Sequence, residues 1–290
     1  ATFKCTGVGS HITGHHVNCV AAGVLIYTSN GLIPIEKIRP SMRLLTKTGH
    51  HREVLAIQAR APSRPLVAVR LWGQAEAFQC TEDHLVLCYV EGALVWHPAG
   101  DLRPGDRVAL PIPSGRTRAV SRTNARINAI LNHAITWRLL GYWLAEGAAS
   151  PANQIRLTFG PHETGFAEEA AAIARKVLDC PVHVSPTSTS LVVSFSDADF
   201  KIITAKFGTH AYNKHLPPLA LATKRHFRAE LVRGYFLGDG CPRANQGWSA
   251  CTVSRSLAAG MQLQRASLEI PSVISVAARR STKIVAGRLS

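Results

Sequence analysis

Two nine-residue stretches hold the residues best suited to chemistry: Leu139–Gly147, LLGYWLAEG, and Val232–Gly240, VRGYFLGDG. Aligned position by position, both read x-x-Gly-aromatic-aromatic-Leu-small-acidic-Gly. Each therefore delivers one carboxylate, Glu146 or Asp239, directly ahead of a glycine. Both stretches close helix-compatible runs, AITWRLLGYWLAEG and FRAELVRGYFLGDG, whose apolar and aromatic residues cover most faces, so both helices are expected to be buried. Gly141 and Gly234 let two such helices approach closely, and Gly147 and Gly240 are expected in the left-handed conformation just past a helix end. A carboxylate there faces the negative pole of the helix dipole, which is unfavourable by itself. Two copies of an acid so placed point to a recruited metal ion. If the helices pack side by side, Glu146 and Asp239 supply oxygen ligands suited to Mg2+. Phosphodiester hydrolysis needs such an ion to activate water and offset charge on the attacking and leaving oxygens.

The charge distribution supports a polyanionic partner. The chain of 290 residues carries a net charge of +15, of which +3 falls in residues 1–112 and +12 in residues 113–290. The half with the repeated motif is thus the basic half, as fits a polyanion such as DNA, whose phosphates Lys and Arg neutralise. The length is enough for about two domains with their own cores. Seven cysteines are scattered without any Cys-x-x-Cys, which disfavours a disulfide framework or zinc site and fits a reducing cytoplasm. No stretch approaches the roughly 20 apolar residues of a membrane span. The start at Ala1, without a basic segment before an apolar run, reads as a fragment and not as a secreted precursor.

The elements that must position these residues fall into two textures. From Cys19 to about Pro113, short β-rich segments (VLIY, LIPIEKI, RLLTK, REVLAIQA, PLVAVRLW, LVLCYV, ALVWHPA, RVALPIP) alternate with turns at Asn30-Gly31, Thr48-Gly49, Glu91-Gly92 and Pro104-Gly105. This is an all-β region. Residues 1–18 show no sustained periodicity, and His15-His16 read as part of a solvated loop. Residues 114–127 are polar and basic, a linker. Thereafter the first motif helix leads to a strand at QIRLTFG, a helix over ETGFAEEAAAIARKVLD, strands at VHVSP and LVVSFS, and a shorter helix, DADFKIITAKFG. The second motif leads to a strand at WSACTVS, a helix over SRSLAAGMQLQRASLEI, and strands at SVISVAARR and TKIVAGR. The halves repeat one plan, and the second stops early.

The paired nonapeptides resemble the duplicated motif of the LAGLIDADG (DOD-type) homing endonucleases. The resemblance implies an α+β two-motif nuclease over residues 128–290, a monomer with saddle-like antiparallel sheets lying on DNA, using Mg2+ held by Glu146 and Asp239. Lys214, in NKHLPPL, stands where such nucleases carry an active-site Lys, and Lys283 is the weaker match in the second half. Base contacts would come from Gln154, Arg156, Arg255, Arg279 and Arg280 on the saddle strands.

The all-β region resembles the N-terminal part of an intein, a protein-splicing domain of the Hint fold. CVAAGVLIYTSNG–LIPIEKI matches the opening block, CTEDHLVLCYV the block with Thr-x-x-His, and WHPAGDLRPGDRVALP the segment that closes this half; Ala22 and Val24 depart from the usual Gly-Asp-Thr. The resemblance implies that Cys19 is the nucleophile of an acyl shift at the Asn18–Cys19 bond, that His84 donates to the scissile amide, and that Thr81 hydrogen-bonds and helps distort it. It also implies a host protein upstream. Residues 1–18 resemble the stretch before the Walker B strand of phage terminase large subunits, and would be the remnant of that host. No His-Asn closes the chain, so the resemblance implies a missing C-terminal splicing segment, encoded downstream or supplied in trans, and incomplete splicing by this chain alone. The fold expected is therefore multidomain: an incomplete all-β Hint region at 19–113 followed by the endonuclease. Two other readings are a LAGLIDADG protein that binds DNA without cutting it and a hedgehog-type autoprocessing domain.

Overall fold

The structure, a computed structural model, describes residues 2–7, 19–61, 65–112, 124–149, 154–243, 247–276, 284–285 and 288–289. Eleven strands make up the first part: β1 (Thr2–Gly7), β2 (Val20–Ala21), β3 (Leu25–Thr28), β4 (Gly31–Pro34), β5 (Arg43–Leu45), β6 (His51–Arg60), β7 (Val67–Val69), β8 (Phe78–Cys80), β9 (Leu85–Val90), β10 (Ala93–Pro98) and β11 (Arg107–Val108). They pair antiparallel throughout, in the order β4-β3-β5-β6-β1-β2-β8-β7 and, separately, β10-β9-β11. The β3–β4 hairpin closes with Thr28 opposite Gly31, and the φ of +100° at Gly31 is the conformation that an Asn-Gly turn supplies at little cost. The all-β texture of residues 19–112 matches the strands expected there.

Residues 2–7 differ from expectation. They form β1, a strand between β6 and β2, where the short polar stretch TFKCTG shows too little alternation to announce a strand. Its pairing comes from its neighbours, since both flanking strands are open at those edges. His15-His16, Asn18 and the rest of residues 8–18 lie outside the described residues.

The second part begins with α1 (Ala125–Leu131), capped by Asn124, whose side chain accepts from the Ile127 amide at 3.0 Å. It starts inside the stretch read as a linker. There follow α2 (Ala134–Glu146), β12 (Gly147–Ala149), β13 (Gln154–Phe159), α3 (Thr164–Leu178), β14 (Val182–Pro186), β15 (Leu191–Ser196), α4 (Ala198–Ala205), α5 (Pro218–Leu221), α6 (Arg225–Gly238), β16 (Gly240–Arg243), β17 (Gly247–Ala250) and α7 (Arg255–Ser267). The first sheet runs β12-β13-β15-β14, and β16–β17 is the counterpart of β12–β13 in the second half. The chain is thus mixed α/β, with several antiparallel sheets. Residues 271–276 are not the strand expected at SVISVAARR. They lie over the β region as an extended strap, the Ile274 amide donating to the Gly73 carbonyl at 2.8 Å.

One large core, built on Trp137, Leu139, Leu140, Tyr142, Trp143, Leu144, Ile155, Leu157, Phe159 and Phe200, fills the space between the helices and the first sheet. The β region has a smaller core around Val20, Ile35, Ile38, Val54, Cys80 and Ala99. Tyr27 of β3 packs against the larger core, joining the two parts. Polar contacts reinforce the join: Gln262 of α7 donates to Gly73 O at 2.7 Å and to Ser272 O at 3.0 Å, and accepts from the Gln74 side chain at 2.7 Å. Among the described residues, no helix is long and apolar enough to cross a membrane.

Candidate functional site

The two motif helices lie against each other at their glycines. A Cβ at Gly234 would land on the Arg138 carbonyl oxygen, and one at Gly141 would sit 2.5 Å from the Tyr235 amide and 2.7 Å from Gly234 Cα. Only residues without a Cβ permit that approach, so the small residue at the third motif position is a packing requirement. The contact persists to the helix ends, where a Cβ on Gly238 would lie 2.5 Å from Ala145 Cβ and 3.3 Å from Glu146 Cγ. α2 is buried on nearly all sides, as expected. α6 is not: Arg225, His226 and Arg233 face solvent.

The glycines after the acids play a different part from the one expected. Gly147 has φ −75° and ψ 138°, an extended conformation that opens β12 directly, and Gly240 opens β16 in the same way. Neither is left-handed. Their missing side chains make room instead: a Cβ on Gly147 would strike the Trp143 ring and carbonyl, and one on Gly240 would strike the Phe236 carbonyl and approach Trp248 to 2.9 Å.

Glu146 ends α2 half-buried, and Asp239 caps α6 at the mouth of a cleft of about 330 Å³ that Ala145, Ala211, Lys214, Cys251 and Thr252 also line. Lys214 is only 5% exposed. Its Nζ approaches the Ala145 carbonyl at the C-terminus of α2 (3.4 Å) and lies 5.9 Å from the centre of the Trp143 ring. A cation at the negative end of a helix is electrostatically well placed. Its loop is held from both sides. The Lys214 carbonyl accepts from Ser254 Oγ at 2.6 Å, Ser254 also caps α7, and Trp143 Nε1 donates to Gly208 O at 3.2 Å.

Electrostatics bind these groups into one unit. Burial, then the Asp239 charge and then Glu163, push the Glu146 carboxyl up to about 7, with Lys214 pulling the other way. Asp239 is raised as well, chiefly because protein displaces water around it, with Lys214 opposing and Glu163 adding to the rise. Burial lowers Lys214, and the two carboxylates offset part of that. Two crowded carboxylates that resist ionisation are the donor set that a divalent cation relieves. Glu146 and Asp239 are the residues that could hold a divalent cation, and the described residues contain no cluster of three or more ligand-type side chains. Glu163, at the N-cap of α3, was legible as a helix start but not as a neighbour of the acids: only the fold brings its charge to bear on the pair.

The expected base-contacting residues divide. On β13, Ile155, Leu157 and Phe159 point into the core while Arg156 and Thr158 face out, so Arg156 shares a solvent-facing cross-strand row with Ala148, Ser194 and His183. Gln154 is half-buried at the end of the same strand. Arg255 is not on a saddle strand. It begins α7, pairs with Glu76 and donates to the Gly23 carbonyl at 3.1 Å, so it fastens the two parts of the chain together. Arg279, Arg280 and Lys283 lie outside the described residues.

The second constellation is built around Cys19, buried at 1% exposure at the start of β2. Its amide donates to Thr81 Oγ1 at 3.2 Å, and the Thr81 amide donates back to the Cys19 carbonyl at 3.0 Å. The His84 amide donates to Thr81 O at 3.0 Å, and the His84 carbonyl accepts from Ala99. Cys19 thus shares one backbone-tied corner with Thr81 and His84, which are distant from it in sequence. The His84 ring lies edge-on to Phe78, its Nδ1 is buried without a partner among the described residues, and burial lowers its pKa against the pull of Asp83. The loop after β2 is anchored by the Gly23 amide donating to Glu36 at 2.8 Å. Cys80 and Cys88 are core thiols, whereas Cys241 and Cys251 are exposed.

No protein-family model matches the chain. The ATP-dependent DNA helicase Hel308 of Thermococcus kodakarensis is 34% identical over 148 residues, covering 48% of this chain and 13% of that protein. The uncharacterized protein MJ1054 of Methanocaldococcus jannaschii is 30% identical over 118 residues, 36% of this chain and 13% of its own length. The chain therefore spans only a small part of either relative. Among solved structures, the N-terminal LAGLIDADG domain of DUF199/WhiA overlaps 53% of this chain and 78% of its own at a TM-score of 0.33 and 11% identity. Full-length DUF199/WhiA from Thermatoga maritima overlaps 41% and 39% at a TM-score of 0.27 and 14% identity.

Proposed function

We propose that the chain is part of an intein: a Hint-type splicing region joined to a LAGLIDADG-type endonuclease that cuts double-stranded DNA at a specific site. The observation that carries the nuclease reading is that two copies of one motif, packed glycine against glycine, bring Glu146 and Asp239 within electrostatic reach of each other and of Lys214, with Asp239 and Lys214 lining one cleft. Glu146 and Asp239 would hold Mg2+, which supplies the Lewis acidity that activates water and offsets charge on the phosphodiester oxygens. The ammonium of Lys214, fixed beside them by its loop, places a positive charge where negative charge grows on the phosphate. Arg156 and the polar row across the first sheet present groups to the groove, and the basic surface holds the backbone. Hel308 is named for acting on DNA, in keeping with a DNA-directed relative. Supercoiled plasmid carrying candidate sites, incubated with Mg2+ or with EDTA, tests the reading: Mg2+-dependent nicking and linearisation are expected, and equal products under both conditions refute it.

In the splicing reading, the Cys19 thiol attacks the Asn18 carbonyl as it gives up its proton. A C–S bond forms as the C–N bond breaks, giving a thioester and a free Cys19 amine, and the thiol proton passes to the departing nitrogen. Thr81 Oγ1, which accepts from the Cys19 amide, would help to distort the scissile bond. His84, with a free ring nitrogen in a dry corner, delivers the proton. This reaction takes place inside a soluble cytoplasmic protein in the same reading.

A further inference from the structure

The sheet of the β region is completed by residues that precede the proposed scissile bond. β1 pairs on one edge with β6, from Thr2 opposite Arg60 to Gly7 opposite Val54, with a bulge between Thr6 and Gly7. On its other edge it pairs with β2, Thr2 opposite Ala21 and Phe3 opposite Val20. β5 pairs with β6 through His51–Glu53, and Val54 is bonded to Ser41 and Met42 just beyond, so β1 takes up the ladder along the rest of β6. β2 in turn meets β8 through Val20 and Cys80 alone. Without β1, the order β4-β3-β5-β6-β1-β2-β8-β7 breaks into two pieces at the strand that follows Cys19.

The register matters for the chemistry. Phe3 stands opposite Val20, the residue that directly follows Cys19. The start of β2 is therefore flanked by Thr81, through two hydrogen bonds to Cys19, and by a strand of the segment that the acyl shift would release.

We propose that Thr2–Gly7 is a positioning strand for its own junction: the upstream segment clamps the start of β2 from the side opposite Thr81. Once the junction is cut, the segment stays bound as an added β-strand. The partner this surface takes is an extended peptide, recognised through its backbone ladder, as in other strand additions. The release step rests on the splicing reading; the strand itself does not. An upstream sequence unable to form the strand would lower the rate at Asn18–Cys19 although it contributes no reacting group.

Amide hydrogen exchange on the full chain tests the strand directly. In the parent and in Lys4→Ala, the β1-facing amides of residues 54–60 should be protected. Lys4→Pro removes a backbone donor and should raise their exchange at least about tenfold. Should Lys4→Pro unfold the β region, Thr6→Pro, which lies beyond the pairing with β2, gives the graded version, with retained DNA binding as the check on folding. Unprotected amides in the parent, or exchange unchanged by both prolines, overturn the proposal. Hydroxylamine then reads the junction: Lys4→Pro or Thr6→Pro should slow release of residues 1–18, and the peptide cut from the parent should co-elute with the remaining chain until denaturant is added. Cutting at the parental rate in both proline variants, with a peptide that elutes alone, overturns the positioning role. No cut in the parent despite protected amides refutes the splicing reading, and the positioning role with it, while the strand stands.

Discussion

Glu146→Gln should stabilise the protein while abolishing its proposed activity. The carboxyl is raised from 4.5 to about 7 by burial, by Asp239 and by Glu163. A raised carboxyl favours folding in its protonated form, so its favourable contribution is complete below about pH 4.5 and is lost as pH rises through about 7. The difference of about 2.5 pKa units corresponds to a ceiling of about 3 kcal/mol at pH 8. Glu146 is partly open to solvent, and screening reduces this to about 1–2 kcal/mol. Glutamine keeps the shape without the charge, so urea denaturation in EDTA should show the variant more stable by that amount at pH 8 and by only a small fraction of it at pH 5. Trp137 and Trp143, both buried in the large core, report unfolding of this part by fluorescence. Added Mg2+ should stabilise the parent and not the variant, since only the parent offers both carboxylates. A variant less stable than the parent at pH 8, or a gain that persists unchanged at pH 5, would show that Glu146 is not held against its charge.

Other tests address different links. Gly234→Ala puts a methyl group onto the Arg138 carbonyl and should cost about 1–3 kcal/mol in a denaturation experiment; a neutral result would mean that the helices do not meet there. DNA affinity should fall steeply with salt, given the +12 charge of residues 113–290, and a flat log–log plot would dissociate that charge from DNA. Under thiol, mass spectrometry should find an 18-residue peptide from cleavage before Cys19, absent in Cys19→Ala and strongly slowed in His84→Ala. Its appearance in Cys19→Ala would assign the cut to another group.

The duplicated nonapeptide made the helix pair, its glycine contact and its two acids legible before any coordinates, because close helix packing leaves a direct mark on residue type. The longer strands of the β region and the helices α2, α3, α4, α6 and α7 were legible for the same kind of reason, periodicity bounded by turn residues, whereas α1 begins in the stretch read as a linker and the short β12 and β16 were not expected. What escaped depends on distant partners. β1 is a strand because β6 and β2 have free edges, not because TFKCTG reads as one. Arg255 was placed on a DNA-facing strand by its charge, whereas it fastens α7 to Gly23 and Glu76. Gly147 and Gly240 were expected to be left-handed, yet strands follow at once and the ring of Trp143 or Trp248 sets the need for glycine. Lys214 was found through its motif, but its burial, and the influence of Glu163 on the same acids, follow only from the tertiary arrangement.

The pairing of Glu146 with Asp239 as one cation-dependent cutting centre is tested most directly on a random double-stranded DNA library. The parent, Glu146→Gln and Asp239→Asn are incubated with Mg2+, and both the cut ends and the retained DNA are sequenced. The parent should cut at one recurring site, while both variants should enrich that same site by binding and leave it intact. Recurrent cutting by either variant at the parental rate would contradict the assignment, as would a parent that enriches a site and never cuts it.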